Sequence, residues 1–596
     1  MYECRHSTRN ESHALVLLEP ALEAMVRVMM LIVLCSLLLG LLHGGIFYVA
    51  TDGLNTNPGT IGQPWHTISY AASTLSGIGA GDTIIVRAGN YPEVVEPDIS
   101  GTANAPILLR NRPNEVVTLN PGRFRFNDGI NYWKVCGFIT LNSDASGFKL
   151  SGNHVIGGFE VDSCAFSHHA EDGVYLGGPD FGGISIENCI IEWNGEVNGV
   201  PTGQEGDGII MYGLCGKLWA RRNLIANNWA KGISHASEGE FKGDSSVVDS
   251  NLFLNNFETG MDFCADNSYI RYNYFSSNGI RDPEAGEWGD AGLSMQGPSS
   301  GNIIAFNVIK GSGQIELWPG GNNNNFYNNT VIKDHYYTTV PGSPYATCIM
   351  FFDGNGSGSE FRNNIVMNIL SQPQHHFAII SEVYERYIDQ VWSNNLYWCP
   401  NATSPDPENK AFKLYNAPGL GGMYKTLVEV QSTWQNQEIG SVYDNPDFVS
   451  YADSNFNLAV GSPAIDAGID VGFPYYGDAP DMGAFEFNPA GIFSFEESPN
   501  NGLSMQVYPN PFKQMTDIRW QITDNGPPIT DNRLHIEIYE VTGRLVRQYD
   551  DATMRLFDHI VWQGTDDIGQ KLPAGVYFCR LTNDEFSITE KTIKLR

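Results

Sequence analysis

From about residue 136 to residue 397 the chain alternates apolar and polar residues in short runs of period two, and each run is broken by Asn or Gly. One phrase recurs: a variable residue, then Asn, then alternating apolar residues. It reads Glu187-Asn188-Cys189-Ile190, Arg222-Asn223-Leu224-Ile225, Ser250-Asn251-Leu252-Phe253, Tyr272-Asn273-Tyr274-Phe275, Phe306-Asn307-Val308-Ile309, Asn328-Asn329-Thr330-Val331, Asn363-Asn364-Ile365-Val366 and Asn394-Asn395-Leu396-Tyr397. Cys136 and Ser163 take the same slot upstream, and the successive spacings are 27, 25, 35, 28, 22, 34, 22, 35 and 31 residues. The shortest spacing, 22, sets the basic unit.

A second phrase, Gly followed by alternating apolar residues, falls between the Asn phrases at Gly173, Gly208, Gly232, Gly260 and Gly292. Two or three short strands per unit, with Asn and Gly at the corners, predict a stack of coils with parallel strands ~4.8 Å apart. The Asn side chains are expected to form a column along one corner, with Asn188, Asn223, Asn251 and Asn273 in register. Leucine-rich repeats are excluded because no L-x-x-L-x-L frame is present, and helical solenoids because no run keeps i, i+3, i+4 periodicity. The fold class is therefore all-β: a right-handed parallel β-helix over 46–490, a linker at 491–504 and a small antiparallel Ig-like β-sandwich over 505–596.

Length supports at least two folded units, since 596 residues exceed what one core usually organises. A formal charge of -32 repels phosphate backbones, which excludes nucleic acid as a partner. It also repels an anionic polysaccharide unless a cation such as calcium lies between. Residues 1–45 hold a signal-like stretch, Met25 to Leu42, with Arg27 at its start and Gly44-Gly45 after it; Met25 is the expected start. The cysteines beyond it, Cys136, Cys164, Cys189, Cys215, Cys264, Cys348, Cys399 and Cys579, form no C-x-x-C pair, so buried thiols are expected. A monomer is expected.

Three segments carry resemblances. The opening from Tyr48-Val49-Ala50-Thr51-Asp52-Gly53 to Gly89-Asn90-Tyr91 resembles the N-terminal cap and first coil of extracellular β-helix proteins, polysaccharide lyase family 9 among them. Gly461-Ser462-Pro463-Ala464-Ile465-Asp466-Ala467-Gly468 and Asp481-Met482-Gly483-Ala484-Phe485-Glu486 resemble the closing segment of secreted bacterial β-helices, which implies a cap on the open end. Tyr508-Pro509-Asn510-Pro511-Phe512, the Thr542-Gly543 turn, Trp562, Leu572-Pro573-Ala574-Gly575-Val576-Tyr577 and the final Lys591-Thr592-Ile593-Lys594-Leu595-Arg596 resemble a type IX secretion sorting domain. That resemblance implies export to the medium or the outer cell surface through the type IX secretion machinery.

Candidate chemistry is confined to one column, because no H-E-x-x-H, G-x-S-x-G, phosphate-binding loop or dinucleotide fingerprint is present. If the Gly phrases stack, Asp172, Asp207 and Lys231 lie one above another, with Asp262 projecting outward nearby. The lyase resemblance implies a calcium-dependent β-elimination on a uronate-containing polysaccharide, with Lys231 as base, Asp207 assisting, and Asp172, Asp207 and Asp262 as metal ligands. A glycoside hydrolase using two carboxylates such as Asp207 and Asp262, and a non-catalytic surface adhesin, are the alternatives. His235, Glu287 and Trp288 are candidate substrate contacts, the last two in an insert with Asp282, Glu284 and Asp290. The plain reading of each acid is a solvated turn residue, and of the His168-His169 and His375-His376 pairs, turn positions.

Overall fold

The computed structural model describes residues 44–594 apart from 114, 153–156, 179–182, 198–199, 203–205, 213–215, 236–242, 280–290, 296, 298, 312–314, 318–320, 335–346, 352–355, 370–376, 382–386, 401–409, 415–423, 453, 474, 476, 488–502, 509–514, 523–534, 541–543, 550–558, 568, 574 and 583–586. The signal-like stretch, the insert carrying Glu287 and Trp288, His375-His376 and the Thr542-Gly543 turn lie outside the described residues.

Each coil visits three parallel sheets in turn, as in Ile184–Glu187, Ile190–Glu192 and Ile209–Tyr212, before Leu218–Arg221 starts the next. The first sheet runs from Ile46–Val49 to Val391–Ser393, the second from Gly89–Asn90 to Val442–Tyr443, and the third from Val94–Val95 to Lys410–Leu414. Tyr424–Thr426 then adds antiparallel to the third. Alternation sends every second side chain inward, and the interior stacks like on like. Phe253 lies on Phe275 with centroids 4.5 Å apart, and Phe361 on Trp392 at 4.0 Å.

At the corner from first to second sheet a residue of positive φ, such as Arg222 (54°), Ser250 (58°) or Tyr272 (56°), precedes a buried Asn. Asn223 Oδ1 accepts the Cys189 N–H at 2.9 Å, and its Nδ2 donates to Ile186 O at 2.8 Å and to Asn251 Oδ1 at 2.9 Å. Asn251, Asn273, Asn307, Asn329, Asn364 and Asn395 repeat this pattern, and Ser441 ends it. Asn188 is one residue out of that column: it holds the positive-φ position (55°), and Cys189 occupies the slot. The Cys189 thiol donates to Val161 O at 3.7 Å, as Cys164 does to Val135 O, so two thiols begin the ladder that amides continue. Ser163 falls with Asn188, and Cys136 pairs with Asp162, one residue earlier.

The other two corners carry ladders of their own. His169, Asn194, Asn228, Asn256 and Asn278 join second to third sheet, and Ser246, Ser268, Asn302, Asn324, Ser359 and Gln390 join third to first. The ends are closed by local structure. A short helix, Ile68–Ala71, capped by Thr67, sits beside buried Trp65 at one end. At the other, Leu427–Thr433 carries a Thr426/Glu429 capping box, and buried Glu438 accepts the hydroxyls of Tyr387 and Tyr397, both at 2.8 Å.

The Asp466 to Glu486 segment does not plug the open end. It runs back along the first corner as a strap: Asn394 Nδ2 donates to Ala467 O, Asn363 exchanges hydrogen bonds with Ile469, and Asn328 Nδ2 donates to Asp481 O. The positive-φ residues leave their side chains outside the ladder, where the strap takes them up. Beyond it, strands Leu503–Tyr508, Thr516–Ile522 and His559–Trp562 face a four-stranded sheet that ends in Ser587–Lys594, around Trp520, Trp562 and Tyr577. Among the described residues no helix is long and apolar enough to cross a membrane.

Removing one rung orphans a buried N–H and a neighbouring amide, each costing about 1–3 kcal/mol. Asn273→Ala is expected to lower stability to denaturant by that order or more, whereas Asn188→Ala, outside the ladder, costs less; equal losses in urea titrations would contradict the ladder.

Candidate active site on the third sheet

The Gly phrases stack as the sequence predicts, with Val174 opposite Ile209, Ile209 opposite Ile233 and Ile233 opposite Met261. One residue before each Gly, Ser146, Asp172, Asp207, Lys231 and Thr259 form a column at the second corner, tied by Gly N–H to C=O bonds from one coil to the next. Asp172 Oδ1 accepts the Asp207 N–H at 3.0 Å and its Oδ2 the Ser146 hydroxyl at 3.3 Å. Asp207 Oδ1 accepts the Lys231 N–H at 2.8 Å. Both carboxylates therefore cap backbone inside the corner, and Asp207 is only 1% exposed. Burial first, and the neighbouring Asp207 charge second, push Asp172 well above the usual carboxylate range.

Lys231 turns outward. Its Nζ lies 3.3 Å from Asp262 Oδ2 and 3.9 Å from Glu258 Oε2, with the lysine side chain 29% and that of Asp262 10% exposed. Burial alone would lower the lysine, but Asp262, Asp207 and Glu258 together outweigh it and hold the ammonium above its ordinary pKa. Trp229 and Phe257, in contact with ring centroids 4.6 Å apart and planes inclined by 33°, precede Lys231 and Glu258 at the same corner. Along the outer face Asp262 is opposite Ser294, and Ser294 opposite Glu316; all three are buried. The connections entering this sheet include the long stretches from Glu192 to Ile209, Ser276 to Leu293 and Lys333 to Thr347.

Two expectations are corrected. His235 does not face outward: it is opposite Met211 on an inward position, packs edge-on against Phe263 at 5.1 Å, and burial lowers its pKa to about 4. Its Nδ1 accepts the Cys264 N–H at 3.3 Å, so this imidazole is a core group. Nor do Asp172, Asp207 and Asp262 make one calcium shell. From Asp172 to the Asp262 coil is three coil steps, ~14 Å along the axis, far beyond the ~2.6 Å reach of a shared ion. Asp172 is spent on backbone and Ser146, and the Lys231 ammonium stands beside Asp262. Among the described residues no group of three or more His, Cys, Asp or Glu is placed to hold a metal.

Glu258, Ser294, Glu316, Trp229 and Phe257 escaped the sequence reading, although Ile315-Glu316-Leu317 repeats the spacing of Met261-Asp262-Phe263 and was the available signal.

A stability test separates cap from ligand. A carboxyl whose folded pKa is raised favours the fold only while protonated, so its charge costs stability once pH exceeds the unfolded value. Asp172→Asn is expected to match or exceed the wild type in thermal unfolding at pH 7, and Asp172→Ala to lose about 1–3 kcal/mol; a drop for Asn as large as for Ala would show that the negative charge itself is needed.

Two family models agree with this architecture. Residues 128–331 match the family model described as right handed beta helix region, and residues 506–595 match the secretion system C-terminal sorting domain. The uncharacterized protein YwoF of Bacillus subtilis strain 168 is 35% identical over 77 residues, 13% of this chain and 16% of that protein. Among solved structures, pectate lyase Pel9A shares 18% identity over 75% of this chain and 97% of its own, with a TM-score of 0.42. XylC in complex with xylose shares 11% over 92% and 100%, with a TM-score of 0.39. The chain is thus a right-handed parallel β-helix carrying a type IX sorting domain, a protein destined for secretion or the cell surface.

Proposed function

We propose that this protein cleaves an anionic, uronate-containing polysaccharide on the outer face of the third sheet, by β-elimination with Lys231 as the base. The observation that carries the reading is the Lys231 ammonium, 3.3 Å from Asp262, at the corner that also carries the Trp229 and Phe257 ring pair. A cation in an otherwise acidic protein is where a uronate can approach, and an aromatic wall suits the apolar face of a sugar ring. In the reaction the neutral amine takes the proton α to the uronate carboxyl. The freed pair forms a carbon–carbon double bond, the glycosidic C–O bond at the β carbon breaks, and the leaving oxygen takes a proton from water. Asp207 acts as a positioning residue through the Lys231 backbone. No step is routed through calcium, because the donor set does not fit it.

A second reading rests on a different observation. Asp262 and Glu316 both face outward two coil steps apart, ~10 Å between strands, close to the spacing at which paired carboxylates invert a glycosidic centre. In that reading Glu316 replaces Asp207 as the partner of Asp262.

Polygalacturonate and alginate are the first substrates to try. Elimination gives an unsaturated product absorbing in the ultraviolet; new reducing ends without that absorbance would favour the carboxylate pair, and binding with neither would leave an adhesin. Lys231→Ala is expected to abolish turnover, and full activity in that variant would refute the lysine mechanism. Because three acids raise the lysine pKa, the rate should climb through alkaline pH without levelling below the ordinary lysine value. Glu258→Gln should move that rise to lower pH, and a move to higher pH would contradict the electrostatics.

A further inference from the structure

A separate feature of the third sheet lies nearer its N-terminal end. Alternation places Arg125, Lys149 and Tyr175 outward on successive coils, with Arg125 opposite Lys149 and Lys149 opposite Tyr175. The Lys149 Nζ stands 4.5 Å from the centre of the Tyr175 ring, and Arg125 pairs with Glu96 at 3.0 Å. Tyr212, on the next coil and opposite Gly177, stacks on Tyr175 with centroids 6.4 Å apart and planes inclined by 23°. Tyr212 is 54% exposed, unusual for so large a ring on this sheet.

Gly177 explains how the pair is seated. A Cβ there would come within 2.5 Å of the Tyr175 ring and 2.9 Å of its hydroxyl, so only glycine lets the ring lie back along its own strand. Tyr175 is thereby fixed from one side by Lys149 and on the other supports Tyr212. Two rings are held in place on an open sheet face with cations beside them, in a chain whose formal charge is -32.

We infer that Lys149, Tyr175 and Tyr212 form a distal subsite for a sugar bearing a carboxylate or sulfate group, remote from the Lys231 centre. Tyr212 stacks the ring and Lys149, with Arg125 behind it, attracts the anionic substituent. The inference rests on the glycan reading above and adds the direction of the chain, which lies along the helix axis. From the Tyr212 coil to the Asp262 coil is two steps, ~10 Å, so the subsite and the Lys231 centre engage different sugars of one polymer.

Affinity electrophoresis of the full chain through gels containing polygalacturonate, a sulfated galactan or a neutral glucan tests this. Tyr212→Ala and Lys149→Ala are expected to weaken binding to one or both anionic polymers by about tenfold, the scale of one stacked or charged contact. Gly177→Ala should do likewise by displacing Tyr175, with circular dichroism unchanged. Loss confined to polygalacturonate identifies a uronate and loss confined to the galactan a sulfate. Wild-type affinity in all three variants overturns the subsite, as does equal loss on the neutral glucan or a wild type that binds none of the gels. Activity separates the two proposals: unsaturated product formed equally by wild type and Tyr212→Ala on long polymer sinks the subsite alone. Tyr212-dependent binding without any cleavage leaves the subsite standing and removes the lysine mechanism.

Discussion

Everything in the helical part depends on satisfying backbone groups at three buried corners. A coil that turns three times per repeat exposes N–H and C=O groups that sheet pairing cannot reach, and a buried unsatisfied group costs as much as a lost hydrogen bond. The amide side chain answers both needs at once. Asn223 accepts from the preceding coil's backbone, donates to a carbonyl beneath and donates to the next amide above. Repeated coil after coil, this fixes the rise and leaves little freedom in register. Sheet faces become rigid surfaces whose side chains are placed by position alone.

That rigidity explains why carboxylates on neighbouring coils do opposite things. Asp172 and Asp207 fall at the corner and are drawn into capping the backbone. Asp262 falls two residues after Gly260, on the outward phase of the strand, and meets the Lys231 ammonium instead. Proximity along the stack is not enough for a shared metal, since each coil step moves a side chain by the full strand spacing. The face is graded, with Arg125 and Lys149 at one end and Asp262 and Glu316 further on.

Much of this was legible in the sequence because β-coils write themselves in period two. The Asn and Gly phrases gave the strands and the stacking of Gly173, Gly208, Gly232 and Gly260. Asn188 misled because the residue that does the amide's work there is Cys189, the thiol one position further along the same phrase. The second ladder was visible and missed: Asn194, Asn228, Asn256 and Asn278 each follow a first-ladder residue by five positions. His235 was misplaced because a polar residue beside a candidate base reads as a site, whereas its phase, two after Ile233, sends it inward beside Phe263. The strap could not be read as a side contact, because its partners Asn328, Asn363 and Asn394 are distant in sequence and distinguished only by their positive φ.

We propose that a glycan is bound and cut on the outer face of the third sheet. The most direct test is a crystal structure of the Lys231→Ala variant with a long oligogalacturonate. Density is expected to run along the helix axis, with one ring beside Trp229 and Asp262 and another on Tyr212. Sugar density confined to the first or second sheet, or to the C-terminal sandwich, would contradict that proposal.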